Sequence, residues 1–449
     1  MDMNYQQAWT FLNDLQFFKI KLGLDAMNTF LGRVGNPHRH LSCVHIGGTN
    51  GKGSVASTLL SILTAAGYRV GLYTSPHLSN VRERFRIGND FISEEDFARL
   101  ATEIHRVLNG EQITYFECTT TLAMLWFAKQ QVDLALLEVG MGGRLDATNV
   151  IVPLVSVITN VSMDHEQYLG DTIADIAGEK AGIIKPGVPV VSGVDDDIAT
   201  RVVAETCRRL GAPLYLSGRD FRVCKESQPP LDGREAAGTW RWSDWNGRDY
   251  RHLPLAMKGG YQMTNAGLAL AVIELLKAGG YQVNQQQVRA GLATVSWPGR
   301  LEEFALVPKQ APWLPELTAK TRFLLDGAHN PAGVEALAGA LAREFHYQKL
   351  FLIWGAMADK DIGQTLAAIA PLADHIIFTR PESERSAMPK ELLALLPDQY
   401  RGLAEIRDDV EPALRRAVSL AGEDDLICVA GSLYLVGRAR QILRGELVP

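Results

Sequence analysis

Residues 41–67 read LSCVHIGGTNGKGSVASTLLSILTAAG. An apolar run from Leu41 to Ile46 leads into Gly47-Gly48-Thr49-Asn50-Gly51-Lys52-Gly53-Ser54, and a helix-like stretch follows. A strand that feeds a glycine loop and then opens a helix is the context a phosphate-binding loop requires. Glycines let backbone N–H groups face phosphates, the helix N-terminus is electropositive, and the lysine reaches the terminal phosphates. The spacing departs from G-x-x-x-x-G-K-[ST]: five residues before Gly51 stands Ile46, and Gly53 separates Lys52 from Ser54. A glycine turn that merely caps a helix is the plainer alternative. One lysine and four glycines between strand and helix favour a phosphate-loop variant.

Outward from this loop the same rhythm recurs. VDLALLEV (132–139), VPLVSVITNV (152–161) and VPVVSG (188–193) are short apolar runs rich in β-branched residues, the signature of parallel strands buried on both faces. From Thr239 to His252 the pattern alternates around Asn246-Gly247, which predicts a small antiparallel hairpin with a type I′ turn. A helix-like stretch runs from Asn265 to Ala278, and Trp297-Pro298-Gly299 marks a boundary. Beyond it TRFLLDG, KLFLIWG, HIIFTR and DLICVAG read as four more strands separated by helices. The expected fold is α/β. A mostly parallel P-loop-type sheet domain with an antiparallel appendage spans 1–297, and a smaller Rossmann-like α/β domain spans 298–449.

Composition narrows the partners. With 47% hydrophobic and 21% charged residues in 449, the chain is neither disordered nor fibrous. A net charge of −6, without a block of five like charges, argues against a nucleic-acid partner. Cys43, Cys118, Cys207, Cys224 and Cys428 are scattered and form no C-x-x-C pair, which fits reduced thiols in the cytoplasm and no cysteine zinc site. The start MDMNYQQAWTFLNDL lacks the basic region of a signal peptide. Stretches such as Leu350–Ala358 fall short of the ~18 apolar residues that span a bilayer. A soluble, cytoplasmic monomer acting on small molecules is expected, with no membrane partner.

GTNGKGS resembles the loop of ATP-dependent amide ligases of the Mur ligase superfamily, and within it the dihydrofolate synthase/folylpolyglutamate synthase family. The resemblance extends over Thr74-Ser75-Pro76-His77-Leu78, Thr114-Tyr115-Phe116-Glu117, Glu138 through Asn149 (EVGMGGRLDATN) and Asp164-His165. It continues through Gly178-Glu179-Lys180-Ala181-Gly182, Trp297 through Glu302 (WPGRLE) and Leu325 through Pro331 (LDGAHNP).

Glu138 ends an apolar strand, where α/β proteins place ligands; the plainer alternative on local pattern is a solvated strand-end acid. His165 follows a strand and Ser75 lies in a turn, and each alone reads as structural. The resemblance implies that Ser75, Glu138 and His165 hold Mg2+, and that Lys180, carboxylated on its amine, ligates a second Mg2+. Alone, Lys180 reads as a solvated helix-face charge. Lys52, Glu138, His165 and Lys180 are thus the expected catalytic set. The resemblance also implies ATP contacts from Gly48, Thr49, Asn50, Gly51, Lys52, Gly53, Ser54, Asn265, Arg300, Asp326 and His329. Thr114, Tyr115, Phe116, Glu117, Leu145, Asp146 and Ala147 are implied to line the pocket of the pterin-bearing substrate. Gly140-Met141-Gly142 starts like a dinucleotide fingerprint, but Leu145 takes the third glycine's place, so no NAD site is expected.

The implied reaction is ATP-dependent addition of L-glutamate to dihydropteroate or to the γ-carboxylate of a folate, through an acyl phosphate. Because the implied ATP contacts lie on both sides of Gly299, ATP is expected between the domains. Alternatives are an enzyme restricted to folates, a Mur cell-wall peptide ligase and a regulatory P-loop ATPase. The 46 residues before Gly47 are too few for the domain that precedes the loop in peptide ligases.

Overall fold

A computed structural model describes residues 2–15, 23–226, 239–381, 383 and 385–444. The chain divides into two compact units. The first comprises residues 1–77, 81–256 and 262–296; the second comprises 78–80, 257–261 and 297–449.

The first unit is built on eight strands: β1 (Cys43–Gly47), β2 (Val70–Tyr73), β3 (Phe85–Ile87), β4 (Asp90–Phe91), β5 (Leu134–Glu138), β6 (Val155–Ile158), β7 (Val190–Ser192) and β8 (Leu214–Leu216). They lie in the order β4-β3-β2-β5-β1-β6-β7-β8. From β2 to β8 every pairing is parallel, while β3 and β4 add an antiparallel edge. Each residue of β1 and β5 is buried, as continuous apolar runs in a sheet covered on both faces must be. One core joins Tyr73 and Leu137 to the helices Glu94–Leu108 and Tyr115–Lys129. Another joins Val139, Ile158 and Val190 to the helices Ile173–Ala181 and Asp197–Leu210.

The strand order has a direct consequence for function. The carboxyl ends of the four adjacent parallel strands β2, β5, β1 and β6 emit the segments that carry Ser75, the 139–147 loop after Glu138, the glycine loop and the Thr159–His165 loop. Ligands of open α/β sheets bind at such carboxyl ends.

The appendage is a three-stranded antiparallel sheet of β9 (Arg222–Glu226), β10 (Thr239–Ser243) and β11 (Asp249–Leu253). Its β10–β11 connection is not the expected type I′ turn. That turn needs positive φ at both central residues, and of the Asn246-Gly247 pair only Gly247 has it, at 77°. Instead Asp244 closes a longer turn: its carbonyl accepts from Gly247 N–H at 3.2 Å, and its carboxylate accepts from the N–H groups of Asn246 and Arg248 at 2.9 and 2.8 Å. Trp242 fixes this sheet to the helix Gly260–Ala278 by donating from Nε1 to Gly267 O at 3.0 Å. That helix starts five residues before the expected Asn265.

The second unit holds β12 (Glu302–Leu306), β13 (Thr321–Leu325), β14 (Leu350–Trp354), β15 (His375–Phe378), β16 (Ala404–Ile406) and β17 (Leu426–Ala430), in the order β12-β13-β17-β14-β15-β16. All pairings are parallel except β12 with β13. The four strands expected from the sequence are β13, β14, β15 and β17. The unanticipated edge strands β12 and β16 are half-exposed and lack an apolar run. Among the described residues no helix is long and apolar enough to cross a membrane. The five cysteines are free, and only Cys224 is exposed.

Candidate active site

The glycine loop is held by the segment after β6. Thr49 N–H donates to Asn160 O at 3.0 Å and Asn50 N–H to Asn160 Oδ1 at 2.8 Å. Thr49 Oγ1 accepts from Ser162 N–H at 3.1 Å, and Thr159 Oγ1 donates to Asn50 O at 2.6 Å. Two glycines are compelled. Gly48, at φ 139°, passes so close to Thr159 that a Cβ would stand 1.9 Å from its Oγ1. Gly51, at φ 83°, faces Asn265, whose Oδ1 would be 2.5 Å from a Cβ. The helix Lys52–Ala65 begins immediately afterwards, with Gly53 and Ser54 buried in its first turn. Lys52 Nζ folds back to donate to Gly48 O at 3.1 Å and Thr49 O at 3.0 Å. Asn265 donates from Nδ2 to the buried Gln262 Oε1 at 2.9 Å, leaving its oxygen toward the loop.

Glu138 ends β5 and is 4% exposed; its Oε2 accepts from Ser75 N–H at 3.1 Å. Lys180, near the end of the helix Ile173–Ala181, is 3% exposed. Burial pushes its ammonium down to about 7, the nearby Lys52 charge pushes the same way, and Asp164 opposes them. These interactions put Lys180, Lys52 and Asp164 in one electrostatic neighbourhood. His165 caps the short helix Glu166–Leu169 in a left-handed conformation, with Nε2 4.0 Å from Asp164 Oδ1. A hydrogen bond therefore joins Ser75 with Glu138, while Lys180 and Lys52 meet only through their charges. Among the described residues no three His, Cys, Asp or Glu side chains converge as a ready metal cage. Glu138 and Ser75 nevertheless offer hard oxygen donors of the kind Mg2+ prefers.

Thr114 N-caps the helix Tyr115–Lys129 in a capping box. Its Oγ1 accepts from Glu117 N–H at 3.2 Å, while Glu117 Oε2 accepts from Thr114 N–H at 2.8 Å. Glu117 Oε1 is buried without a hydrogen-bond partner among the described residues. Phe116 closes over Gly140, and the Arg84 guanidinium lies 5.3 Å from the Tyr115 ring centre. These side chains share one neighbourhood with the loop after Glu138. Leu145 is half-buried and Ala147 buried. Asp146 is engaged within its own loop: Oδ2 accepts from Gly140 and Met141 N–H, both at 3.0 Å, and Oδ1 accepts from Thr148 N–H at 3.0 Å and Thr148 Oγ1 at 2.5 Å.

In the second unit Asp326 ties two loops together, accepting from Leu301 N–H at 2.8 Å and Ala328 N–H at 2.9 Å. Burial raises its carboxyl, and the Arg300 charge opposes the rise. Arg300 Nη1 donates to Gly299 O at 3.0 Å. His329 Nδ1 donates to Gly327 O at 2.8 Å, since a carbonyl only accepts.

Thr159, Asn160, Ser162 and Gln262 support the loop and Asn265, yet they are absent from the expected set. The polar cluster that directly follows the apolar strand in VITNVSMDH is the signal that points to the first three.

Residues 46–273 match the Mur ligase middle domain, and residues 314–433 the Mur ligase glutamate ligase domain. A probable bifunctional folylpolyglutamate synthase/dihydropteroate synthase of Haloferax volcanii is 36% identical over 455 residues, covering 100% of this chain and 51% of the relative. The chain thus spans about half the length of that relative. The dihydrofolate synthase/folylpolyglutamate synthase of Bacillus subtilis is 32% identical over 448 residues, covering 98% of this chain and 99% of the relative. A crystal structure of a bifunctional folylpolyglutamate synthase/dihydrofolate synthase with Mn, AMPPNP and L-glutamate bound superposes with a TM-score of 0.84 at 30% identity, covering 99% of this chain and 100% of that one. With motifs, both domains and full-length relatives in agreement, the chain belongs to the dihydrofolate synthase/folylpolyglutamate synthase family of the Mur ligases.

Proposed function

We propose that the protein is an ATP-dependent ligase that joins the amine of L-glutamate to the carboxylate of dihydropteroate or to the γ-carboxylate of a folate. The observation that carries this reading is the set of groups gathered around four neighbouring strand ends: the anchored Lys52 loop, Glu138 buried against Ser75 N–H, and Lys180 of the helix Ile173–Ala181, buried within the fields of Lys52 and Asp164. The family relatives, and the AMPPNP, Mn and L-glutamate of the solved homologue, support it.

In the proposed reaction, amides of residues 48–54 and the Lys52 ammonium receive the ATP phosphates, with Asn265, Arg300, Asp326 and His329 as further nucleotide contacts. The substrate carboxylate attacks the γ-phosphorus, ADP leaves, and the glutamate amine displaces phosphate from the acyl phosphate to form the amide. Lys52 stabilises charge that spreads over the transferred group, where most catalysis of phosphoryl transfer resides. Ser75, Glu138 and His165 would hold Mg2+, which when bound neutralises phosphate charge. Lys180 joins them only as a carbamate, and the uncharged amine that reaction with CO2 requires is what its burial favours. Thr114, Tyr115, Phe116, Glu117, Leu145 and Ala147 are the proposed lining of the pterin pocket, and Asp146 its brace. The protein acts as a monomer in the cytoplasm, where the five free cysteines stay reduced.

ADP release with ATP, Mg2+ and L-glutamate, in the presence of dihydropteroate or of tetrahydrofolate, tests the proposal. Release with both establishes a bifunctional enzyme, and release with tetrahydrofolate alone an enzyme restricted to folates. Release with neither sinks the folate assignment.

A further inference from the structure

We propose that His45 is a positioning residue for this reaction, acting through Thr148 and Asp146 on the Gly140–Met141 turn that follows Glu138. His45 lies in the middle of β1, fully buried, two residues before the glycine loop begins. In the strand register it sits opposite Leu137, and Ile46 sits opposite Glu138. Its Nε2 is 2.8 Å from Thr148 Oγ1. The single hydroxyl proton of Thr148 points at Asp146 Oδ1, 2.5 Å away, so Thr148 must accept from His45. That fixes the tautomer with the proton on Nε2. It also leaves Nδ1 a bare lone pair, which is buried without a hydrogen-bond partner among the described residues.

The chain of bonds ends on the far side of Asp146, where Oδ2 gathers the Gly140 and Met141 amides. The same loop is fastened at its other end to the helix that bears Lys180: Arg144 N–H donates to Glu179 O at 2.8 Å, and Asn149 Nδ2 to Gly182 O at 3.1 Å. Loop 140–149 therefore ties the strand of Glu138 to the helix of Lys180, and His45 is the fastener supplied by the strand that leads into the glycine loop. An apolar side chain would pack in this strand beside Cys43, Val44 and Ile46 without burying an unpaired nitrogen. A histidine retained there for one directed hydrogen bond is what a relay requires.

The kinetic consequence rests on the proposed ligase reaction, whereas the amide-exchange consequence rests on the hydrogen bonds alone. In His45→Leu, hydrogen–deuterium exchange at Gly140 and Met141 should quicken. Its kcat should fall roughly 10- to 100-fold, as for other groups that orient a site through an intermediary, with KM for ATP unchanged. His45→Gln, which can present an N–H where Nε2 stood, should restore both slow exchange and kcat. If His45→Leu does not fold, Thr148→Val removes the bridging hydroxyl at nearly constant volume and carries the same expectations. Unchanged exchange at Gly140 and Met141 in the Leu or Val variant overturns the relay. So does a Gln variant as impaired as the Leu one, because filling the space is then all that matters. A wild-type protein that releases no ADP overturns the ligase reading, and the exchange result still decides the relay.

Discussion

Lys52 opens the helix after the glycine loop, and its charge helps burial hold the Lys180 ammonium, in the helix Ile173–Ala181, down to about 7. Lys52→Ala should lower kcat for ADP release by roughly 10²- to 10³-fold, the scale on which a single stabilising donor counts in such transition states. If Lys180 is the carbamylated ligand, wild type equilibrated with [13C]bicarbonate should show a carbamate 13C resonance that Lys180→Ala lacks. Equal spectra for the two proteins would remove Lys180 from that role. The residues differ in how plainly the sequence announces them. Lys52 and Glu138 are marked by strand-then-loop context. Nothing in GEKAGII marks Lys180 as buried, because loop 140–149 covers that turn and comes from thirty to forty residues upstream. Asp146 is legible as part of a motif, but that its carboxylate is saturated by its own loop is visible only in three dimensions. His45 reads as one polar residue in an apolar strand, and only the fold brings Thr148 to it.

At the scale of elements, the helix Tyr115–Lys129 depends on its first turn. Thr114→Ala removes the cap and should cost about 1 kcal/mol in thermal or denaturant unfolding, while Thr114→Ser should retain most of that stability. The glycine loop depends on its path past Thr159. Gly48→Ala forces a Cβ to within 1.9 Å of Thr159 Oγ1, so the loop must leave its anchors and ADP release should be lost. ADP release at the wild-type rate would show that the loop adapts. Strands buried on both faces, such as β1, β5 and β6, are legible because each is a short run of mostly apolar residues. The edge strands β12 and β16 are not, since half-exposed strands carry no such run. The Asn246-Gly247 turn misleads for a local reason: Asp244, two residues upstream, captures two backbone amides and selects another turn.

Across the whole molecule, His45 ties stability to acidity. Burial holds its imidazole far below the usual 6.5, at about 3, with the Lys185 charge adding to the effect. The unfolded chain thus binds a proton between these values that the folded protein refuses, and stability falls as pH drops below 6.5. At pH 5 the loss from this one group is about 2 kcal/mol. Denaturant unfolding between pH 7 and 5 should show that slope, and His45→Gln, which does not titrate, should be flatter by that amount. Equal slopes would mean that the buried ring is not the source.

The order of strands in the first unit also shapes how the protein comes into being on the ribosome. The glycine loop is translated before the residues that hold it: its anchor Asn160 comes 110 residues beyond Asn50, and Asn265, which faces Gly51, more than two hundred residues beyond it. At about 5–20 residues per second, the nascent chain spends on the order of ten seconds or more with this loop unbraced. The cradle therefore closes only after strands that follow its own motif in the chain have been made.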